Sequence, residues 1–332
     1  TTIHKPNKSI ISVSNLHQWC LVIVGDEITP DNAYYDNLAK KNNVFYLSAS
    51  NQKKYLLGVT SSFIKKMPFR SFARKNIGFL FAVNYGAKVI FDFDDDNVLT
   101  PLEDGVTVPP PFLYTEDVGF DKTVLLEFFD ESELNQSSDL VFNPYEFMRA
   151  NHKDSWPRGF PIDYLQKNFE TWGQRTNATA VGDIKLSSIG VIQSLCDGDP
   201  DTDAVFHMTR PDSTHFTYGR AVTTLPLLVP CSTYTAYNAL ATTHLYSVFW
   251  GLYLPITVPG RVTDIWRSYI TQRIMKDIGL HVMYTPPIVK HERSAHNYLA
   301  DFVAESDLYS KTAELLKFLD SWSSSANTLP ER

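Results

Sequence analysis

Apolar residues fall into runs of two kinds along the first third of the chain. Residues 19–26 (WCLVIVGD) form a continuous apolar stretch of strand length that stops at Gly-Asp. A run without alternation fits a strand covered on both faces. Residues 30–42 (PDNAYYDNLAKKN) read as a helix opened by Pro30, and 43–50 (NVFYLSAS) as the next strand. In 69–87, Phe72, Ile77, Leu80, Phe81 and Val83 share one side of a helix ending near Gly86, and 88–93 (KVIFDF) is a third strand. The order strand, helix, strand, helix, strand predicts a doubly wound α/β half, with ligands outside the carboxyl ends of the strands.

The pattern then loosens. Residues 100–180 read as loops around a short strand at 123–129, and 156–165 (WPRGFPIDYL) as a shaped loop with Arg-Gly between two prolines. Residues 188–209 read as a short helix, a polar loop and a strand. Residues 262–279 form an amphipathic helix with Ile265, Tyr269, Ile274 and Ile278 among its apolar positions. A strand follows at 280–289, and a closing helix spans 306–323. With no repeat or low-complexity linker, the parse is an extension (1–18), one domain (19–323) and a tail (324–332). The domain divides into a nucleotide-binding half (19–100), a more irregular sugar and acceptor half (101–305) and the closing helix.

Composition narrows the classes. At 43% hydrophobic and 20% charged, the 332-residue chain is an ordinary globular protein. Its net charge of −7 argues against a nucleic-acid partner, which wants a basic face. The longest apolar stretch, 245–258, is interrupted by Pro255 and too short to span a bilayer. Sequons occur at Asn7, Asn135 and Asn177. Of the cysteines, Cys20 reads as a free core thiol, and a bridge between Cys196 and Cys231 stays open.

The candidate chemistry centres on VIFDFDDDNV (89–98). Asp94, Asp95 and Asp96 crowd like charges at a strand end. Either this is a solvated acidic turn, or Asp94 and Asp96 hold a hard cation, Mn²⁺ or Mg²⁺, that bridges to phosphate. If the pleat persists, Asp95 points away and serves the turn or a neighbouring base. The repulsion is then relieved only by a bound cation, so the empty site should be the looser one. Asp264, in the first turn of the 262–279 helix, suits the helix dipole or a general-base role, and Arg261 is a possible ion-pair partner. His291 follows the last strand and is a third potential metal ligand, with His296 a rival. Arg158 offers a planar fork to a diphosphate, or else pairs with an aspartate to hold loops together. Asp199, Asp201 and Asp203 suit sugar hydroxyls or a solvated turn. Asp26 and Glu27 follow the first strand, where a nucleobase or ribose would bind.

The segment Ala73, Arg74, Lys75, Asn76, Gly78, followed by a strand and the acids, resembles nucleotide-sugar glycosyltransferases of the GT-A fold, with Lys75 inserted relative to that pattern. Taken with WPRGFP, IGVIQSLCDGDPDTDAVFHMTR, FWGLYLPITVPGRVTDIWRSYITQR and HNYLADF, in order from about Trp19 to Glu305, the chain resembles the STELLO group of Golgi glycosyltransferase-like proteins. The acidic triplet, Arg158 to Pro161 and Gly260 to Trp266 are more distantly similar to reversibly glycosylated polypeptides, which include UDP-arabinopyranose mutases.

The resemblance implies a GT-A-like α/β fold and an enzyme, a metal-dependent hexosyltransferase. It would move a sugar, glucose by best guess, from a UDP-sugar to a glycan or polysaccharide acceptor. It implies Mn²⁺ (or Mg²⁺) on Asp94, Asp96 and His291, and donor binding by Asp26, Arg70, Arg74, Asp94, Asp95, Arg158 and Asp203. Asp264 would be the base of an inverting reaction. It also implies a glycoprotein of the Golgi lumen, a type II membrane protein held through an anchor outside this chain. A UDP-sugar mutase and a non-catalytic partner of a polysaccharide synthase are the alternatives.

Overall fold

The computed structural model describes residues 4–16, 19–30, 32–55, 61–100, 123–129, 140–148, 155–168, 179–210, 216, 225–292, 297–326 and 328. The expectations on Asn135, Asn177, His296 and the loops 101–122 and 130–139 lie outside the described residues. The fold is mixed α/β and GT-A-like, as the sequence implies. Strands β1 (Leu21–Val24) and β2 (Val44–Leu47) pair in parallel, Leu21 opposite Val44 and Val24 opposite Leu47. The larger sheet holds β3 (Val89–Phe93), β4 (Asn97–Leu99), β5 (Thr123–Phe129), β6 (Thr179–Lys185), β7 (Ile189–Gly198), β8 (Leu227–Leu228), β9 (Ala241–Leu245) and β10 (His281–His291). Its order is β3-β9-β7-β10-β8-β5-β6, with β4 on β10.

One expectation is corrected here. The third strand does not extend the β1–β2 ladder: β3 pairs antiparallel with β9 through the register Val89 to Leu245 and Phe93 to Ala241. Because β9 is also antiparallel to β7, and β7 parallel to β10, the strands β3, β7 and β10 all run one way. Their carboxyl ends, after Phe93, Gly198 and His291, therefore meet at one edge of the sheet.

A second correction concerns 188–209. The order is strand then helix: Ile189–Gly198 is the strand β7, and Ala204–Thr209 is helical. Nine of the ten β7 residues are buried, so the branched run Ile189, Val191, Ile192 is a strand covered on both faces, the one pattern that periodicity cannot tell from a buried helix. The helix begins where Asp203 Oδ1 accepts the Phe206 N–H at 2.9 Å, an N-cap.

Helices cover both faces of the sheet. On one side the long helix Gly260–Asp277 buries Val262, Ile265, Tyr269 and Met275, with Leu316 of the helix Ser306–Ser321, against Val191, Leu195 and Tyr284. Of its expected apolar positions, Ile265 and Tyr269 are buried and Ile278 is exposed, because Ile278 already lies at the fraying end. On the other side Ile10 and Val13 of the helix Lys8–Ser14 pack with Leu21, Tyr35, Leu99 and Val289. Part of the expected N-terminal extension is thus integral to the core. Cys20 is exposed rather than a core thiol, and neither Cys196 nor Cys231 is in a disulfide. Cys196 faces Val289 in the ladder, whereas Cys231 touches His281, eight residues earlier on β10. That span of about 25 Å along a strand forbids a bridge.

Two glycines let elements close on the site. Gly159 (φ +87°) lies where a Cβ would meet Ile265 Cγ2 at 2.2 Å, so the WPRGFP loop can lie flat on the long helix. Gly198 (φ +88°) would place a Cβ 2.6 Å from the His291 carbonyl oxygen. That neighbour is backbone and cannot step aside. Gly198→Ala is therefore expected to lower unfolding free energy by about 2–4 kcal/mol, from left-handed strain plus overpacking. Urea denaturation measures it, and an unchanged midpoint would refute the close approach.

Candidate functional site

The site begins with the alternation in β3. Asp92 is buried within the strand, and the two-residue period brings Asp94 to the strand end on the same side. A buried and a half-buried carboxylate so placed need a cation, and the preceding helix supplies it. Lys75 opens the helix Lys75–Asn84 and is itself buried. Its Nζ donates to Asp92 Oδ1 at 2.9 Å, Asp94 Oδ1 at 2.7 Å and the Ala239 carbonyl at 3.2 Å. Arg267 Nη1 lies 3.6 Å from Asp92 Oδ2. Burial pushes the Asp94 carboxyl up to about 6, against the pull of Lys75 and with the push of Asp96 and Asp92. Burial also works against the Lys75 ammonium, but Asp92 and Asp94 outweigh it and raise its pKa.

The acids do not continue the strand. β3 stops at Phe93, and residues 95 and 96 form a turn closed by the Asn97 N–H to the Asp94 carbonyl at 3.1 Å. The turn is pinned on three sides. Asn97 Nδ2 donates to the Leu240 carbonyl at 2.6 Å, Glu292 N to the Asp96 carbonyl at 3.2 Å, and the Asn7 and Ser9 side chains donate to the carbonyls of Asp95 and Asn97. The expectation that repulsion is relieved only by a bound metal is thereby revised: Lys75 is a cation built into the chain.

His291, at the end of β10, reaches the same turn. Its Nε2 lies 3.0 Å from Asp96 Oδ2 and its Nδ1 2.7 Å from the Asp199 carbonyl. Burial opposes charge on both groups. The hydrogen bond and opposite charge win, holding the Asp96 carboxyl below its usual range and raising His291. Both ring nitrogens are engaged, so His291 stands here as the partner of Asp96 rather than as a separate third ligand. Asp96 Oδ1 is buried and unpartnered. Among the described residues there is no group of three or more His, Cys, Asp or Glu arranged to hold a metal. What fits a hard cation is narrower: the orphan oxygen of Asp96 beside Asp94, with the remaining positions open to a ligand.

Arg158 occupies the far wall. Its Nε and Nη2 donate to the two oxygens of Asp201 at 2.8 and 2.9 Å, and its Nη2 and Nη1 donate to the two oxygens of Asp264 at 2.9 and 3.2 Å. The last Nη1 hydrogen goes to the Arg261 carbonyl. All five donors are engaged, so the expected diphosphate fork is a clamp between two acids. Asp264 is further fixed by the Ala239 N–H at 3.2 Å. The expected alternative partner, Arg261, turns away: its Nε donates to Glu305 Oε1 at 2.6 Å.

These groups surround one cavity of about 370 Å³, lined by Asp94, Asp96, His291, Arg158, Asp201 and Asp264 among others. The sequence expectations divide accordingly. Asp95 and the four donor-binding candidates Asp26, Arg70, Arg74 and Asp203 do not line it. Asp26 Oδ2 accepts the Arg70 N–H at 2.8 Å, and Arg70 sits in left-handed backbone (φ +52°) with its side chain 3.1 Å from Glu27. Arg74 is buried, donating to the Met67 carbonyl at 2.8 Å and to the Gln52 side chain, so it ties loops together. Lys75, an insertion in the sequence pattern, is instead central to the site. The signal that would have found it is the spacing Asp92, Asp94, which places two acids on one strand face beside a helix that opens with Lys.

Asp203, expected at a sugar hydroxyl, is wholly buried and accepts the Trp156 Nε1–H at 2.6 Å as well as capping its helix. Burial, despite those bonds, pushes its carboxyl up to about 6. The folded form thus holds its proton more tightly than the unfolded chain, whose value is about 3.9. The stability this contributes is present below about pH 4 and lost as pH rises through about 6, a span of about 3 kcal/mol. Asp203→Asn lacks the ionisation. Its melting temperature relative to the parent should therefore improve between pH 4 and pH 7, and a pH-independent difference would refute the assignment.

Comparison with known proteins finds sequence similarity to one group. The family model for STELLO glycosyltransferases matches residues 261–331, the segment that carries Arg261, Asp264 and His291. Two curated Arabidopsis thaliana proteins are similar over nearly the whole chain. One is named Probable glycosyltransferase STELLO1, 27% identical over 330 residues, covering 98% of this chain and 39% of its own length. The other is named Probable glycosyltransferase STELLO2, 28% identical over 329 residues, covering 96% of this chain and 38% of its own length. The chain thus spans about two fifths of the length of these relatives. The family model and the two matches thus find the chain similar to STELLO-type glycosyltransferases.

Proposed function

We propose that this chain is a catalytic domain transferring a sugar, glucose, from a UDP-sugar to the hydroxyl of a glycan or polysaccharide. The observation that carries the reading is the convergence of Asp94, Asp96 and Asp264 on one cavity, at the shared carboxyl ends of β3, β7 and β10. A cavity of about 370 Å³ lies in the small-ligand range. Its lining is acidic enough to favour a cation and hydroxyl groups over a bare anion. The names of the two relatives point the same way.

On this reading Asp94 and Asp96 hold Mn²⁺ (or Mg²⁺), which when bound neutralises the charge of the departing diphosphate. Asp264 accepts the proton of the acceptor hydroxyl as the new bond forms on the opposite face of the sugar, giving inversion. Arg158 and the Ala239 N–H fix the plane of that carboxylate. Asp201 offers its oxygens near the sugar, and His291 keeps Asp96 aimed at the cavity. The domain would work in the Golgi lumen as part of an anchored glycoprotein. No helix among the described residues is long and apolar enough to cross a membrane.

Calorimetric titration with UDP tests the reading. The Asp94→Asn, Asp96→Asn double variant should lose at least tenfold in Mn²⁺-dependent UDP affinity, about 1.4 kcal/mol or more. Equal affinity with and without Mn²⁺ in the parent would sink the metal role and favour a non-catalytic domain. Asp264→Asn should keep UDP affinity within about threefold while transfer falls by about 10²–10⁴. Conversion of UDP-arabinopyranose without an acceptor would instead mark a mutase.

A further inference from the structure

The acidic turn carries its own cation, and that cation is aimed inward. Lys75 Nζ donates to Asp92 Oδ1 at 2.9 Å, Asp94 Oδ1 at 2.7 Å and the Ala239 carbonyl at 3.2 Å, with the Phe93 carbonyl at 3.4 Å. An ammonium has three hydrogens. The two carboxylates and the Ala239 carbonyl take them, and the Lys75 side chain is 5% exposed, so nothing is left to reach a ligand in the cavity. Asp94, by contrast, both touches Lys75 and lines the cavity. One of its oxygens is therefore fixed inside, and the carboxylate cannot rotate to chelate with both.

The charges follow the same logic. Asp92, Asp94 and Asp96 bring three carboxylates to the turn, and Lys75 and Arg267 place two buried cations against the inner pair. Asp96, whose partner is His291, is the carboxylate left to face an incoming divalent ion. A diphosphate would supply the missing negative charge.

We propose that Lys75 is a positioning residue and resident counter-cation, which orients Asp94 and makes divalent-cation binding depend on a nucleoside diphosphate arriving with it. This rests on the metal–diphosphate reading of the same cavity. The metal alone binds weakly, and the pair binds well. Lys75 also lets the turn fold before either arrives, since Asp92 and Asp94 are already neutralised.

Calorimetric titration with Mn²⁺ alone, then with Mn²⁺ in the presence of UDP, tests this on the parent and three variants. Lys75→Met removes the cation at nearly constant length, and free Mn²⁺ should bind at least tenfold more tightly, since a unit charge about 5 Å away acts at intermediate dielectric. Asp92→Asn removes an inner acid while sparing the cavity carboxylates, and free Mn²⁺ should bind at least tenfold more weakly. Lys75→Arg keeps the charge and should match the parent within about threefold. UDP should improve Mn²⁺ binding least in Lys75→Met. A purely structural lysine would give losses in every variant, or no change, and either result overturns the proposal. Should Lys75→Met fail to fold by circular dichroism, the Asp92→Asn and Lys75→Arg arms decide it alone. A parent without Mn²⁺-dependent UDP binding would remove the metal–diphosphate reading and this proposal together. A parent that shows it, with variants that do not split in sign, would remove only the role of Lys75.

Discussion

The buried ammonium of Lys75 is the interaction on which the rest of the site depends. A strand that runs Asp92, Phe93, Asp94 into an acidic turn is, by itself, a poor thing to bury. Each carboxylate taken from water without a partner costs several kcal/mol. One lysine at the start of the preceding helix bonds two of them at once, and its third hydrogen ties the cluster to the Ala239 carbonyl. That carbonyl belongs to the segment entering β9, the strand to which β3 is paired. The charge cluster and the strand pairing are therefore one structure. β3 can leave the first parallel pair and join the larger sheet because its inward acids find their cation there.

That arrangement explains which parts were legible in the sequence. Unbroken apolar runs gave β1 and β2, and Ile265 and Tyr269 marked the inner face of the long helix correctly. The acidic turn, Asp264 and His291 could be singled out because a charged residue just after a strand or near a helix start is a local pattern, although the helix opens at Gly260 and Asp264 falls just past its first turn. What could not be read was partnership. Arg158 and Asp264 are 106 residues apart, and Lys75 and Ala239 are 164 apart. A lone Arg between prolines looks the same whether its fork faces a phosphate or two aspartates. The reversal of 188–209 has a different cause. A run such as Ile189 to Ile192 suits a buried strand and a buried helix alike, and only the cap at Asp203 says where the helix begins.

Two of the three arginines expected at the donor show how burial decides role. Arg74 and Arg158 are both buried, and each donates to carbonyl or carboxylate groups of its own chain. Arg158 uses every hydrogen and has none left for a ligand, whereas Arg74 keeps its buried Nε–H unpartnered and lies off the cavity. Both serve by fixing others. Arg74 closes the segment after Met67, and Arg158 sets the distance and plane of Asp201 and Asp264.

The same reasoning reaches the chain's beginning. The helix Lys8–Ser14 is short, and seven residues would not hold together alone in water. It persists because Ile10 and Val13 enter the core beneath Leu99 and Val289, and because Asn7 and Ser9 meet the backbone carbonyls of Asp95 and Asn97. Asn7 also caps its own helix by accepting the Ile10 N–H at 3.2 Å. The amide of this sequon is thus committed twice, and its serine is buried. A glycan on Asn7 would take one of the two Nδ2 hydrogens and would have to fit beside the bond to Asp95 that braces the acidic turn. In this fold the asparagine is a strut for the cavity wall.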